Sequence, residues 1–175
     1  VNFPDRTINP VFSADMLETV ADLDVPPGNL AVSSDGHLFF SLHPEGRPDF
    51  RVAELKDGTV SPYPSLAFQG SGKSDIFFDT VLSVRIDNQN RLWTLDLANH
   101  GLGTPRLLAF DLATDKIVHR FDFPGSIAGI GSHLNDFQID PAGETIYIAE
   151  ASLIAKSPAI LVYDIKNKQC RTLRD

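Results

Sequence analysis

The chain has 175 residues, 42% of them hydrophobic, which is enough apolar material for a core. Its 23 acidic and 15 basic residues leave a net charge of −8 with no basic cluster, which argues against nucleic acid as a partner, because phosphate neutralisation needs clustered Lys and Arg. No apolar run approaches the about 18 residues that span a membrane, and the single Cys170 allows no internal disulfide.

Leu17 to Leu23 reads as a strand that precedes the first complete unit, placed to close a ring by pairing with a last blade. The apolar run Leu30 to Val32, the turn residues Ser34-Asp35-Gly36 and then Leu38-Phe39 predict a hairpin. Arg51 to Lys56, turning at Asp57-Gly58, predicts a second. The same order returns as Val81 to Ile86, Asp87 to Asn90 and Leu92-Trp93, followed by Arg106 to Asp111 turning at Ala113-Thr114-Asp115. It returns again as Phe137 to Ile139, Asp140 to Gly143 and Ile146-Tyr147, followed by Ala159 to Asp164 turning at Lys166-Asn167-Lys168. Leu38, Leu92 and Ile146 lie 54 residues apart in turn (92 − 38 and 146 − 92). Four short antiparallel strands repeated at a fixed period of this size predict an all-β chain of β-propeller blades, since stacking buries faces that one blade alone would expose. The expected blades cover residues 28–64, 79–124 and 132–175, about half of a ring whose remaining blades would be partners of these.

Ala67 to Ser74 nearly spells a phosphate-binding loop, G-x-x-x-x-G-K-[ST], with Ala in the first position. That loop works between a buried strand and a helix N-terminus, whereas Ile76 to Ile86 reads as strand, so it is expected to be a connection between blades. No G-x-S-x-G elbow and no H-x-x-x-H spacing occurs.

Antiparallel pairing puts the start of each inner strand and the end of its hairpin partner on one side of the ring. Asn29, Asp79, Thr80, His133, Asn135 and Asp136 stand at the strand starts, and His43, Asp96, Asn99, His100 and Glu150 at the partner ends. One mouth of the central channel is therefore expected to be polar and suited to a small molecule or cation. The ligand-binding candidates are Asn29, Asp79, Thr80, Asp96, Asn135, Asp136 and Glu150, and Asp136 with His133 is the candidate acid–base pair. Asp87 and Asp140, at the opposite face, are expected to cap turns. Phe39, Trp93 and Tyr147, at equivalent interior positions, are expected to pack between blades.

The segments Val81 to Asp96 (VLSVRIDNQNRLWTLD), Pro105 to Pro124 (PRLLAFDLATDKIVHRFDFP) and Ser132 to Asp140 (SHLNDFQID) together resemble the yellow and major royal jelly protein family. The resemblance implies a six-bladed propeller, near 320 residues at about 54 per blade. It also implies an extracellular or periplasmic location and a small aromatic or amine-bearing ligand. Members of that family include dopachrome-converting enzymes, storage proteins and binders of biogenic amines, so dopachrome-like tautomerisation, other enzyme activity and binding alone all stay open. The absence of paired cysteines departs from secreted insect members and fits a microbial relative. A remoter similarity to the gluconolactonase and senescence-marker-protein family implies a divalent cation such as calcium and lactone hydrolysis. In that pattern Asn135 takes the place of a metal ligand. The other ligand slots hold Gly28 or Asn29 and Thr80-Val81-Leu82-Ser83, so no cofactor is expected in the first reading and too few oxygen donors are present for the second.

Overall fold

A computed structural model describes residues 12–70, 77–152 and 154–173. Among the described residues twelve strands form three four-stranded antiparallel sheets, each ordered along the chain. The first sheet comprises β1 (Pro27–Val32), β2 (Leu38–Leu42), β3 (Val52–Lys56) and β4 (Thr59–Pro62). The second comprises β5 (Val81–Ile86), β6 (Arg91–Asp96), β7 (Arg106–Asp111) and β8 (Lys116–Asp122), and the third β9 (Leu134–Ile139), β10 (Thr145–Glu150), β11 (Ala159–Asp164) and β12 (Gln169–Leu173). The inner strands β1, β5 and β9 stand side by side, so the sheets radiate as propeller blades. The hairpin turns fall where turn chemistry puts them. Asp87 accepts from the Gln89 and Arg91 amides, and Asp140 from those of Glu144 and Thr145. No described helix is long and apolar enough to cross a membrane.

Packing follows the repeat. Phe39 turns from the first blade into a cluster with Tyr63, Val84, Leu92 and Phe110, which fills the space between blades one and two. One repeat later Trp93 does the same between blades two and three, against Phe137, Ile146 and Tyr163. Tyr147 occupies the third such position but is 48% exposed, because no described sheet lies beyond β10 and β11 on that side. Residues 17–23 form no strand among the described residues. Leu17 and Val20 are exposed, while Leu23 and Val25 cover a small cluster of Phe40, Leu42, Ala53 and Leu55 on the outer side of blade one. Of the loop resembling a phosphate-binding motif, Leu66–Phe68 is a single 3₁₀ turn, and Ser71 to Ile76 lies outside the described residues.

One buried polar pair spans the joint between blades two and three. His119 on β8 meets the Tyr163 hydroxyl through Nε2 at 2.7 Å, and its ring lies 5.0 Å from Trp93. Burial pushes the His119 pKa down to about 4, with Lys168 and Arg91 acting in the same direction. The imidazole is thus neutral in the fold but takes up a proton in the unfolded chain below its ordinary value near 6.5. Its contribution is complete above that pH and is lost as pH falls from about 6.5 to about 4, on the order of 2 kcal/mol. Urea unfolding at pH 7 and pH 4.5 is expected to show a smaller loss in His119→Gln than in the parent. Equal losses would show that His119 does not carry this titration.

Candidate functional site

The three inner hairpins share an irregularity at the same end. In each, the register slips by one residue between the inner strand and its partner, leaving an extra residue on the inner strand: between Pro27 and Leu30, at Leu82, and at Asn135. A bulge of this kind bends the strand and re-aims side chains. Gly28, Leu82 and Asn135 all line a single cavity of about 620 Å³ at the channel mouth. Glycine suits its position, because a Cβ on Gly28 would stand 2.8 Å from Ser41 Oγ. That hydroxyl accepts from the Asn29 amide and donates to the Leu82 carbonyl at 3.0 Å, joining blades one and two.

The cavity gathers eight of the residues expected there: Asn29, His43, Thr80, Asn99, His100, His133, Asn135 and Asp136. Leu82 and Leu97 give it an apolar wall. Asp79, Asp96 and Glu150 do not line it. Asp96 is 2% exposed and lies beneath, accepting from the amides of Asp79, Thr80 and Ala98 at 2.8 to 2.9 Å. Burial pushes its carboxyl up, against the three N–H bonds that favour the ionised form. Glu150, 54 residues further on (150 − 96), repeats the device by accepting the His133 amide at 2.8 Å. Asp79 accepts the Thr80 hydroxyl at 2.6 Å. Asp96 and Glu150 thus hold the starts of the inner strands through their amides, while Asp79 bonds its neighbour's hydroxyl.

Asp136 faces the cavity, but its charge is already matched. Arg85 donates to both of its oxygens at 2.9 Å, Ser83 donates its hydroxyl, and the Phe137 amide adds a fourth bond. Arg85 also reaches the Asn29 carboxamide, so one guanidinium ties all three inner strands together. Asn29, Ser83 and Asp136 occupy equivalent places in the repeat, separated by 54 and 53 residues (83 − 29 and 136 − 83). Arg85 is not among the residues expected from sequence. Its signal is a lone charge inside an inner strand that is apolar apart from Ser83.

His133 does not hydrogen-bond Asp136. Its Nδ1 instead lies 3.3 Å from Nδ1 of His100. Burial lowers the His133 pKa, His100 lowers it further, and Glu150 opposes both, so the ring is neutral at pH 7. His100 is delivered by an unusual turn, Ala98–Gly101, in which every φ is positive: 49, 49, 56 and 74°. A left-handed conformation costs an L-residue roughly 1–2 kcal/mol, so a run of them needs support. Support comes from Asp96 on the Ala98 amide, from the Gly131 amide on the His100 carbonyl at 2.9 Å, and from close contact of Gly101 with Gly129. Asn135 is exposed, and its carboxamide has no hydrogen-bond partner among the described residues. The mouth thus presents imidazoles, carboxamides and a hydroxyl beside two leucines, with its central ion pair already formed.

Radial four-stranded blades around a lined channel define a β-propeller. Solved structures share it at low identity, which supports the fold alone. Hydrazine synthase of Kuenenia stuttgartiensis aligns with a TM-score of 0.56 and 13% identity over 85% of this chain and 37% of that one. A putative oxidoreductase (glucose dehydrogenase) of Thermus thermophilus aligns with 0.56 and 18% over 87% and 47%. The chain belongs to the major royal jelly protein family, whose model matches residues 79–171, from Asp79 through blades two and three. It is 30% identical over 115 residues to major royal jelly protein 6 of Apis mellifera, which is 59% of this chain and 25% of that protein. The chain therefore spans about a quarter of that relative's length.

Proposed function

We propose that the channel mouth binds a small oxygen-bearing aromatic molecule of the catechol or quinone kind. The observation that supports this is the meeting, in one cavity, of the His43, His100 and His133 imidazoles and the Asn29, Asn99 and Asn135 carboxamides with the apolar Leu82 and Leu97. Ring oxygens take hydrogen bonds from amides and imidazole N–H groups, and the leucines cover a ring face. An ammonium group finds Asp136 held by Arg85 and Asp96 and Glu150 turned to backbone amides, which leaves Glu45 as the carboxylate on the cavity wall. A tautomerisation of such a ligand needs one base and one acid in reach of each other, and the neutral His133 beside His100 fits that need better than His133 with Asp136. For the lactonase reading, the same Arg85–Asp136 pairing removes the inner-strand carboxylate that a calcium ion would need.

Calorimetry with catechol and, separately, a catechol amine tests this reading. Asn135→Ala is expected to weaken catechol binding about 3- to 10-fold, the worth of one neutral hydrogen bond. Asp140→Ala, at the opposite turn, should leave it unchanged. Equal effects at the two positions would refute the assignment, and a preference for the amine exceeding tenfold would return the carboxylates to the ligand.

A further inference from the structure

Two of the three cavity histidines, His100 and His133, face each other through their Nδ1 atoms, close enough for a long hydrogen bond. Their Nδ1 atoms are 3.3 Å apart, their ring centroids 5.1 Å, and their planes are inclined by 35°. A straight hydrogen bond between in-line rings at 3.3 Å would place the centroids about 5.6 Å apart. Two imidazoles pointing at one tetrahedral ion, each about 2.0–2.1 Å from it, have nitrogens about 3.3–3.4 Å apart and centroids about 5.2 Å apart. Both separations in the protein match the second geometry.

We propose that His100 and His133 chelate one divalent transition-metal ion, of the zinc and copper class, through their Nδ1 atoms. Both ligands are anchored through their main chains rather than left to find each other. The His100 carbonyl accepts the Gly131 amide, and the His133 amide donates to Glu150. Main-chain bonds of this kind fix where each ligand's Cα stands, which holds the two rings within reach of one ion. Imidazole selects zinc and copper over calcium and magnesium, and copper(II) binds most tightly of the first-row series. Among the described residues no group of three His, Cys, Asp or Glu side chains converges, so the remaining positions are open to water or to oxygen atoms of a bound ligand. This site shares the cavity with the proposed catechol site but does not depend on it. Catechol binding to chelator-treated protein tests the one, and metal titration without organic ligand tests the other.

The experiment is titration of the chelator-treated chain with copper(II), followed by calorimetry and electron paramagnetic resonance, with calcium as comparison. One copper per chain is expected, with two nitrogens coupled to the ion and no heat from calcium. His100→Asn, chosen because Asn tolerates a left-handed backbone, and His133→Gln should each weaken copper binding at least tenfold. His37→Gln, at the opposite face beside Glu54, should not change it. Absence of stoichiometric copper binding, or coupling to fewer than two nitrogens in the parent, would overturn the proposal whether or not the variants fold. So would undiminished binding in both cavity variants.

Discussion

Replacing Gly101 by Ala is expected to lower stability by about 4 kcal/mol and to dismantle the mouth of the channel, a loss in the exceptional range for one substitution. At φ +74° a Cβ would stand 2.1 Å from the Gly129 carbonyl oxygen and 2.6 Å from its carbon. Both are backbone atoms, which cannot swing aside as the tip of a side chain can. The turn Ala98–Gly101 and the segment around Gly129 must therefore separate, releasing the Gly131 bond to His100 that joins them. Gly58→Ala is the internal control. Its φ is +73° but nothing lies within 4 Å of the new Cβ, so only the left-handed penalty of about 1 kcal/mol applies. Urea unfolding of both variants decides the matter, and equal losses would show that backbone strain, not close approach, makes glycine necessary at position 101.

Trp93→Ala should cost about 3–5 kcal/mol, the range for emptying a large aromatic site. Trp93 is fully buried between blades two and three. Its indole N–H donates to Asp87 at 2.7 Å, and the Arg91 guanidinium stacks over its ring at 5.1 Å. Burial tends to raise the Asp87 pKa, but Arg91, Trp93 and the turn amides together bring it below the usual carboxylate range. Asp87 therefore joins the turn to the blade interface, a role beyond capping. Trp93→Phe keeps most of the packing and loses the indole bond, so about 1–2 kcal/mol is expected. A loss from Phe as large as that from Ala, read from chemical denaturation, would assign the stabilisation to the hydrogen bond rather than to the filled volume.

The blades were legible in the sequence because the hairpin signal is local. Asp140 followed by Gly143, or Asp57-Gly58, states where a strand turns, and the spacing of Leu38, Leu92 and Ile146 repeats that statement at a fixed interval. Strand polarity then placed His43, Asn99, His100 and His133 at one mouth, where the cavity has them. The direction of a side chain at a strand end was not legible. Asp96 and Glu150 carry the right chemistry for a ligand, but each folds over the amides of the neighbouring inner strand, which desolvation inside the sheet makes the better partner. Arg85 escaped notice because its partners, Asn29 and Asp136, lie 56 and 51 residues away and meet only when three inner strands stand side by side. The left-handed turn gives little warning either, since Ala98 has no intrinsic preference for positive φ and is held there by Asp96.

The proposed binding site makes its sharpest statement about two imidazoles. In nitrogen-labelled, chelator-treated protein, the ring resonances of all five histidines can be followed by proton–nitrogen correlation spectra while catechol is added. The account predicts saturable shifts at His100 and His133, with His37 at the opposite face and His119 between the blades unmoved. Shifts at His37 or His119 with the cavity pair unchanged would contradict it.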